Sequence, residues 1–271
     1  MPPDETLRSR ENPLYKRLRA LKERGGDKEL CLLEGPKLVL EALAAGIAVV
    51  EAATSPRAEA SPAGAAALSA LRGREVPVRR LTAELFSSLT EAETSQGILA
   101  LARRPAFDEE RVLGGTPLVL VADGVQNPGN LGGLLRTAEA AGATGAILTT
   151  GCADPFSWKA LRGSMGSAFR LPHLRGLSVE QALAALEKAG VAVLAAAKDG
   201  ERRYDEADLR GPVARVVGSE GRGLPPAVLE RARARLRVPL AGPVESLNVG
   251  VAAALVLFEA ARQRGFRGAG S

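Results

Sequence analysis

Pro117 to Gly124 (PLVLVADG) is an apolar run closed by turn-forming residues, the pattern of a strand buried on both faces. Asn127-Pro128-Gly129 follows as turn chemistry, and a helical stretch then runs to Gly142. Asn130 is the expected N-cap of this helix and Gly142 its stop. Beyond it the pattern predicts a strand (145–149), a short helical piece (157–162), a helix (178–189) and strands at 191–196 and 213–217. A short helix (225–232), a short strand (236–239) and a long helix (246–264) complete the order. Strands alternating with helices imply a mostly parallel sheet covered on both faces, with ligands at the carboxyl ends of the strands.

The front half has the same character in a smaller unit. A helix is expected from Asn12-Pro13 to Arg24, with Leu14, Leu18 and Leu21 on one face. Strands at Glu29–Leu33, Ile47–Ala53, Glu75–Arg80 and Gln96–Ala102 alternate with helices at Pro36–Gly46, Ser61–Leu71 and Thr82–Leu89. Arg103 to Thr116 holds a proline, a charge run and a Gly-Gly pair, which reads as a linker. The expected division is 1–105, a linker at 106–116, and 117–271.

Composition narrows the function classes. The formal net charge of +5 and a pI near 9.5 suit a polyanionic partner without proving one. Around the first helix, Arg8, Arg10, Lys16, Arg17, Arg19, Lys22 and Arg24 outnumber Glu11 and Glu23. That run is either a solvated face or an RNA-contacting one. Cys31 and Cys152 are far apart with no CxxC, which argues against a disulfide framework or a zinc site. His173 is the single histidine; it leaves no basis for a His-based metal site or a Ser-His-Asp triad, and reads as a packing residue at a strand end. No apolar run reaches membrane-spanning length and no signal-peptide pattern opens the chain. A soluble, cytoplasmic protein with no membrane partner is expected.

The candidate chemistry lies in three glycine-rich turns. Asparagine occurs four times, at Asn12, Asn127, Asn130 and Asn248, and three of these sit in such turns or at helix starts. In the first turn the helix N-terminus points N–H groups above the sheet, Gly132 and Gly133 permit close approach, and Arg136, six residues after Asn130, is expected to share the same end of the helix. This reads as a phosphate-recognition corner, or simply as tight helix–sheet packing. The second turn, Gly218-Ser219-Glu220-Gly221-Arg222-Gly223-Leu224, lacks the Lys-Ser/Thr of a phosphate-binding P-loop. Glu220 there caps a helix, orients a ligand or acts as a base. The third follows Arg237-Val238-Pro239-Leu240; Ser246 is the expected N-cap of the last helix. Asn248, a weak helix former in its first turn, is expected to bond something across the site.

Together these stretches resemble one family. NPGNLGGLLRTAEAAGA, VVGSEGRGL and VPLAGPVESLNVGVAAALVLFEAAR are similar to the three motifs of the SpoU (TrmH-like) RNA ribose 2'-O-methyltransferases of the SPOUT superfamily. NPLYKRLRAL, LLEGPKLVLEAL and SQGILALARR resemble the substrate-binding domain of its ribosomal RNA members. The resemblance implies an L30e-like α/β substrate-binding domain followed by a SPOUT α/β domain with a trefoil knot. It implies S-adenosylmethionine held around Gly218, Val238, Leu240 and Leu247, and a homodimer with the active site near the subunit interface. Arg136 would be the central catalytic residue, with Asn130, Glu220, Ser246 and Asn248 around it and no metal required. Arg8, Arg10, Lys16, Arg17 and Arg19 would contact RNA. The extra amino-terminal domain favours 23S ribosomal RNA over transfer RNA; a catalytically silent RNA-binding protein of the same fold is the alternative.

Overall fold

A computed structural model describes residues 6–24, 27–90, 95–197, 200–219, 223–244 and 246–266. The chain divides into two compact units. The first comprises Met1–Pro105 with Phe156–Phe169, and the second Ala106–Pro155 with Arg170–Ser271.

The first unit holds a four-stranded sheet of β1 (Leu30–Glu34), β2 (Val49–Thr54), β3 (Val78–Arg80) and β4 (Ile98–Arg103), in the order β1-β4-β2-β3. β4 pairs antiparallel with both β1 and β2, and β2 pairs parallel with β3. The central strand β4 is buried from Ile98 to Ala102, so it reads as a continuous apolar run. Asn12 starts the first helix, Pro13–Arg24, by accepting from the Leu14 N–H at 2.9 Å. That helix buries Leu14, Leu18 and Leu21, the face expected from their spacing, against Leu32, Leu99 and Leu101. Trp158, from the later segment of this unit, joins the same cluster and donates its indole N–H to Glu34 at 2.5 Å.

The second unit is built on a seven-stranded sheet. Its strands are β5 (Leu118–Ala122), β6 (Gly145–Thr149), β7 (His173–Leu177), β8 (Ala192–Ala196), β9 (Arg202–Arg203), β10 (Val213–Val217) and β11 (Ala234–Arg237). Their order is β7-β6-β5-β10-β8-β11-β9, and every pairing is parallel. β5, β6 and β10 are buried end to end, as parallel strands covered on both faces should be. One face packs on helix Val179–Lys188 through Ala182, Leu183 and Leu186. Helices Pro128–Ala140 and Val249–Gln263 pack against each other.

The stretch expected as a linker is instead structured. Asp108 caps a short helix, Glu109–Leu113, by accepting from the Arg111 N–H at 2.9 Å, and Val112 is fully buried in the core of the second unit. A proline, a charge run and two glycines surround the short apolar pairs Ala106-Phe107 and Val112-Leu113, so local pattern hides the helix.

His173 opens β7, buried as a packing residue should be. Its Nδ1 lies 2.9 Å from the Leu171 carbonyl and its ring 5.0 Å from that of Phe107. Burial lowers its pKa from 6.5 to about 4, so the folded protein holds it neutral. The unfolded chain takes up the proton near pH 6.5 and the folded chain only near 4. Stability is therefore complete above the unfolded value and is lost as the pH falls through that window. Denaturant titration of the wild type should show a loss of about 2 kcal/mol between pH 7 and pH 5 from this group. His173→Phe should lose less over the same range; equal slopes for the two proteins would show that other groups carry the acid sensitivity.

Candidate active site

From β5 the chain steps outward to β6 and β7, whereas β10 returns to the other side of β5. The exits of β5 and β10 therefore part at a topological switch point, where parallel sheets bind ligands. A cleft of about 670 Å³ lies there, within the range of small-molecule sites. Its walls are the β5 exit (Asp123 to Asn127), Thr150-Gly151 after β6, the turn after β10 with Gly218, and Val249 at the start of the last helix.

The β5 exit corrects the expected cap. Asn127, not Asn130, is the N-cap: its Oδ1 accepts from the N–H groups of Gly129 at 2.9 Å and Asn130 at 3.1 Å. The cause is Pro128, which keeps the preceding residue extended (φ −76°, ψ 117°), the conformation a cap requires. Asn130 is therefore the third helical residue, and it lines the cleft. Arg136 lies on the exposed side of this helix and does not line the cleft. Six residues on, it is about 9 Å further along the axis and well over a right angle round from Asn130.

The turn after β10 is closed on itself. Ser219 and Gly223 form an isolated bridge, with Gly223 N–H donating to the Ser219 carbonyl at 3.3 Å. A Cβ on Gly218 would sit 2.1 Å from the Gly223 carbonyl oxygen. Glycine is thus demanded at 218 by a close backbone approach. Glu220 lies outside the described residues.

Before the last helix, Asn248 and not Ser246 is the cap; its Oδ1 accepts from the Gly250 N–H at 2.9 Å. Its side-chain oxygen is thereby engaged locally at the helix start. Of the four expected cofactor residues only Gly218 lines the cleft; Val238, Leu240 and Leu247 do not. Ser246 is exposed and also stands apart from it. In the first unit, Lys16 pairs with Glu11, Arg17 with Glu51 at 3.7 Å, and Arg19 with Glu23 at 2.7 Å. Arg8 and Arg10 are exposed and in no ion pair among the described residues.

Sequence reasoning passes over Asp123, Thr150 and Gly151. The signal is present, since each follows an apolar strand at its carboxyl end, but single polar residues there look like ordinary turn formers. Cys152, just beyond, donates its thiol to the Ala122 carbonyl at 3.2 Å, and burial raises its pKa.

Residues 117–258 match the model of the SpoU rRNA Methylase family, and residues 12–100 that of the MRM3-like substrate binding domain. The chain belongs to the SpoU rRNA methylase family. Within this SpoU chain, all three glycine-rich turns fall inside the matched region. It is 40% identical over 178 residues to 23S rRNA (guanosine(2553)-2'-O)-methyltransferase RlmP of Bacillus subtilis, spanning 66% of this chain and 70% of that one. A tRNA/rRNA methyltransferase of Synechocystis, uncharacterised, is 34% identical over 96% of this chain and 94% of its own. The structure of an AdoMet-bound rRNA methyltransferase from Sinorhizobium meliloti superposes with a TM-score of 0.83 at 30% identity, covering 95% of this chain and 97% of that one.

Proposed function

We propose that this protein transfers a methyl group from S-adenosylmethionine to a ribose 2'-hydroxyl of RNA, with 23S ribosomal RNA as the substrate. The observation that carries the reading is the cleft at the β5/β10 switch point, walled by the family's turns and holding Gly218 and Asn130. The backbone-lined turn at Gly218 suits a flat, nucleoside-sized ligand, because no side chain projects from its tightest point. We read the second unit as a SPOUT domain with a trefoil knot, the first as an L30e-like substrate-binding domain, and the protein as a cytoplasmic one. No helix among the described residues is long and apolar enough to cross a membrane.

The bound cofactor supplies an electrophilic methyl group on a sulfonium. The chain's own residues position the acceptor and manage its charge. Arg136 binds the phosphate beside the target ribose and stabilises the negative charge that develops on the 2'-oxygen. A guanidinium keeps its proton in proteins, so it is not the base; a phosphate oxygen, Glu220 or water receives the proton. Asn130 orients the ribose from the cleft wall. By the family resemblance, the chain around Val238, Leu240 and Leu247 would hold the cofactor from beyond the cleft wall, and Ser246 and Asn248 would fix the RNA. The oxygen of Asn248 is engaged as a cap, which leaves its NH₂ to donate.

The exposed apolar residues support a homodimer. Val251 and Phe258, two turns apart on one face of the last helix, are 50% and 41% exposed, and Leu240 and Val244 just before it are also exposed. Such a face is what a subunit interface covers.

RNA enters on the first unit. Reversing Arg8 and Arg10 to Glu together should weaken RNA binding and lower the salt slope by about 2, because each arginine neutralises one phosphate. Cofactor affinity should be unchanged. Filter binding across a salt series reads the first two quantities and calorimetry the third. An unaltered slope removes these residues from the interface.

The function itself is tested by transfer of labelled methyl to ribosomal RNA and its precursors, followed by fractionation and nucleoside analysis. Label in a 2'-O-methylnucleoside of 23S RNA is expected. Label on a base, or on no nucleoside with folded protein and precursor RNA supplied, overturns the proposal.

A further inference from the structure

The exits of β5 and β6 are tied together beyond what sheet pairing requires. Thr149, the last residue of β6, is 3% exposed, and a buried hydroxyl needs partners. Its Oγ1 donates to Asp123 Oδ1 at 2.7 Å and accepts from the Gly124 N–H at 3.3 Å. A hydroxyl has one proton, and the short bond takes it in preference to the Thr150 carbonyl at 3.4 Å. Further along the same loop, the Ala153 N–H donates to the Val125 carbonyl at 2.9 Å. Asp123 is therefore held at the cleft wall by a buried side chain from a second strand.

Asp123 is the one acidic side chain lining the cleft among the described residues. A carboxylate in a site that admits a polyanion opposes the substrate unless it faces something positive. We propose that Asp123 is the anionic contact for the positively charged part of S-adenosylmethionine, and that Thr149 is the positioning residue that aims it. The inference rests on the methyl-transfer reading and adds a charge contact from outside the three glycine-rich turns.

Calorimetric titration of the full-length chain with three ligands tests it. S-adenosylmethionine carries a sulfonium and an α-ammonium, S-adenosylhomocysteine only the ammonium, and methylthioadenosine neither; all three keep the same ribose. Asp123→Asn should weaken S-adenosylmethionine about tenfold or more, the scale of a hydrogen bond to a charged group. It should leave methylthioadenosine as in the wild type. Loss shared by S-adenosylhomocysteine assigns the interaction to the ammonium, and loss confined to S-adenosylmethionine assigns it to the sulfonium; either upholds the proposal. An equal loss for methylthioadenosine would place the carboxylate on the ribose and overturn it, as would wild-type affinity for all three. Thr149→Val should follow Asp123→Asn in direction with a smaller loss, and Thr149→Ser should restore binding. Wild-type affinity in Thr149→Val removes the positioning role. Thermal melts identify any variant that fails to fold. If the wild type binds no S-adenosylmethionine, it is the methyl-transfer reading that fails, before this inference is reached.

Discussion

Arg136→Ala is expected to lower methyl transfer by at least about a hundredfold, with S-adenosylmethionine still bound at wild-type affinity. The split matters because Arg136 is exposed and outside the cleft wall of its own chain. Its helix turns Gly129, Gly133 and Ala140 to the same side, at spacings of three and four residues. A Cβ on Gly133 would meet nothing within 4 Å in the same chain. The arginine thus stands on a low, exposed strip of a helix that packs against the one bearing Val251 and Phe258. In the homodimer proposed above, if joined through this face, Arg136 would serve the cleft of the partner subunit. Complementation follows from that geometry. Mixing Arg136→Ala protein with a cofactor-binding mutant, then dissociating and reassociating the subunits, gives dimers with one intact site of two. Random pairing should recover about a quarter of wild-type activity. No recovery, with mixed dimers demonstrated by mass, means that Arg136 acts within its own chain.

Gly218→Ala is the natural partner in that experiment, and its own effect should be large. The added methyl would lie 2.1 Å from a backbone oxygen and 2.6 Å from the carbon that bears it, both of Gly223. No flexible side chain can yield there, so the turn itself must open. Cofactor affinity should fall at least about tenfold, and stability by about 1–3 kcal/mol, the usual cost of overpacking. Gly223→Ala gives the contrast. Gly223 has φ +68° but open space around its Cβ position, so alanine meets backbone strain of about 1 kcal/mol and no collision. Calorimetry and thermal melts on both variants order the two effects. A Gly218→Ala protein that binds cofactor normally would show that the closed turn is not part of the site.

What is legible in the sequence follows from what each signal depends on. β5, β6 and β10 are readable because strands buried on both faces are apolar almost throughout, with Thr149 in β6 and Arg215 in β10 as the polar exceptions. β7 escapes because only His173 in it is fully buried and Gly176 interrupts it at φ +76°. β9 is two arginines at a sheet edge, which carry no strand signal at all. Both cap corrections concern residues of good capping type two or three positions apart. Residue type alone cannot choose between Asn127 and Asn130 or between Ser246 and Asn248; the cap falls on Asn127 and Asn248, whose backbones are set to enter the helix. At Asn127 the proline that fixes the backbone is in plain view. The site is legible as three turns, but Asp123 and Thr149 are not. Their pairing joins residues 26 apart on neighbouring strands, and only strand order brings them together.

Trp158 has a consequence of another kind. It completes the core of the first unit, yet it is made after β5 and β6 of the second. On the ribosome, residues 1–105 emerge with their sheet strands complete and their core unfilled. Trp158 joins that core only after the chain has been synthesised past Phe169, plus the length held in the exit tunnel. A gene cut at the boundary between the halves would deliver an amino-terminal piece with an apolar gap, prone to association as incompletely packed units are. Any grafting of this substrate-binding unit onto another enzyme must therefore carry the Phe156–Phe169 segment with it, from the far side of two strands.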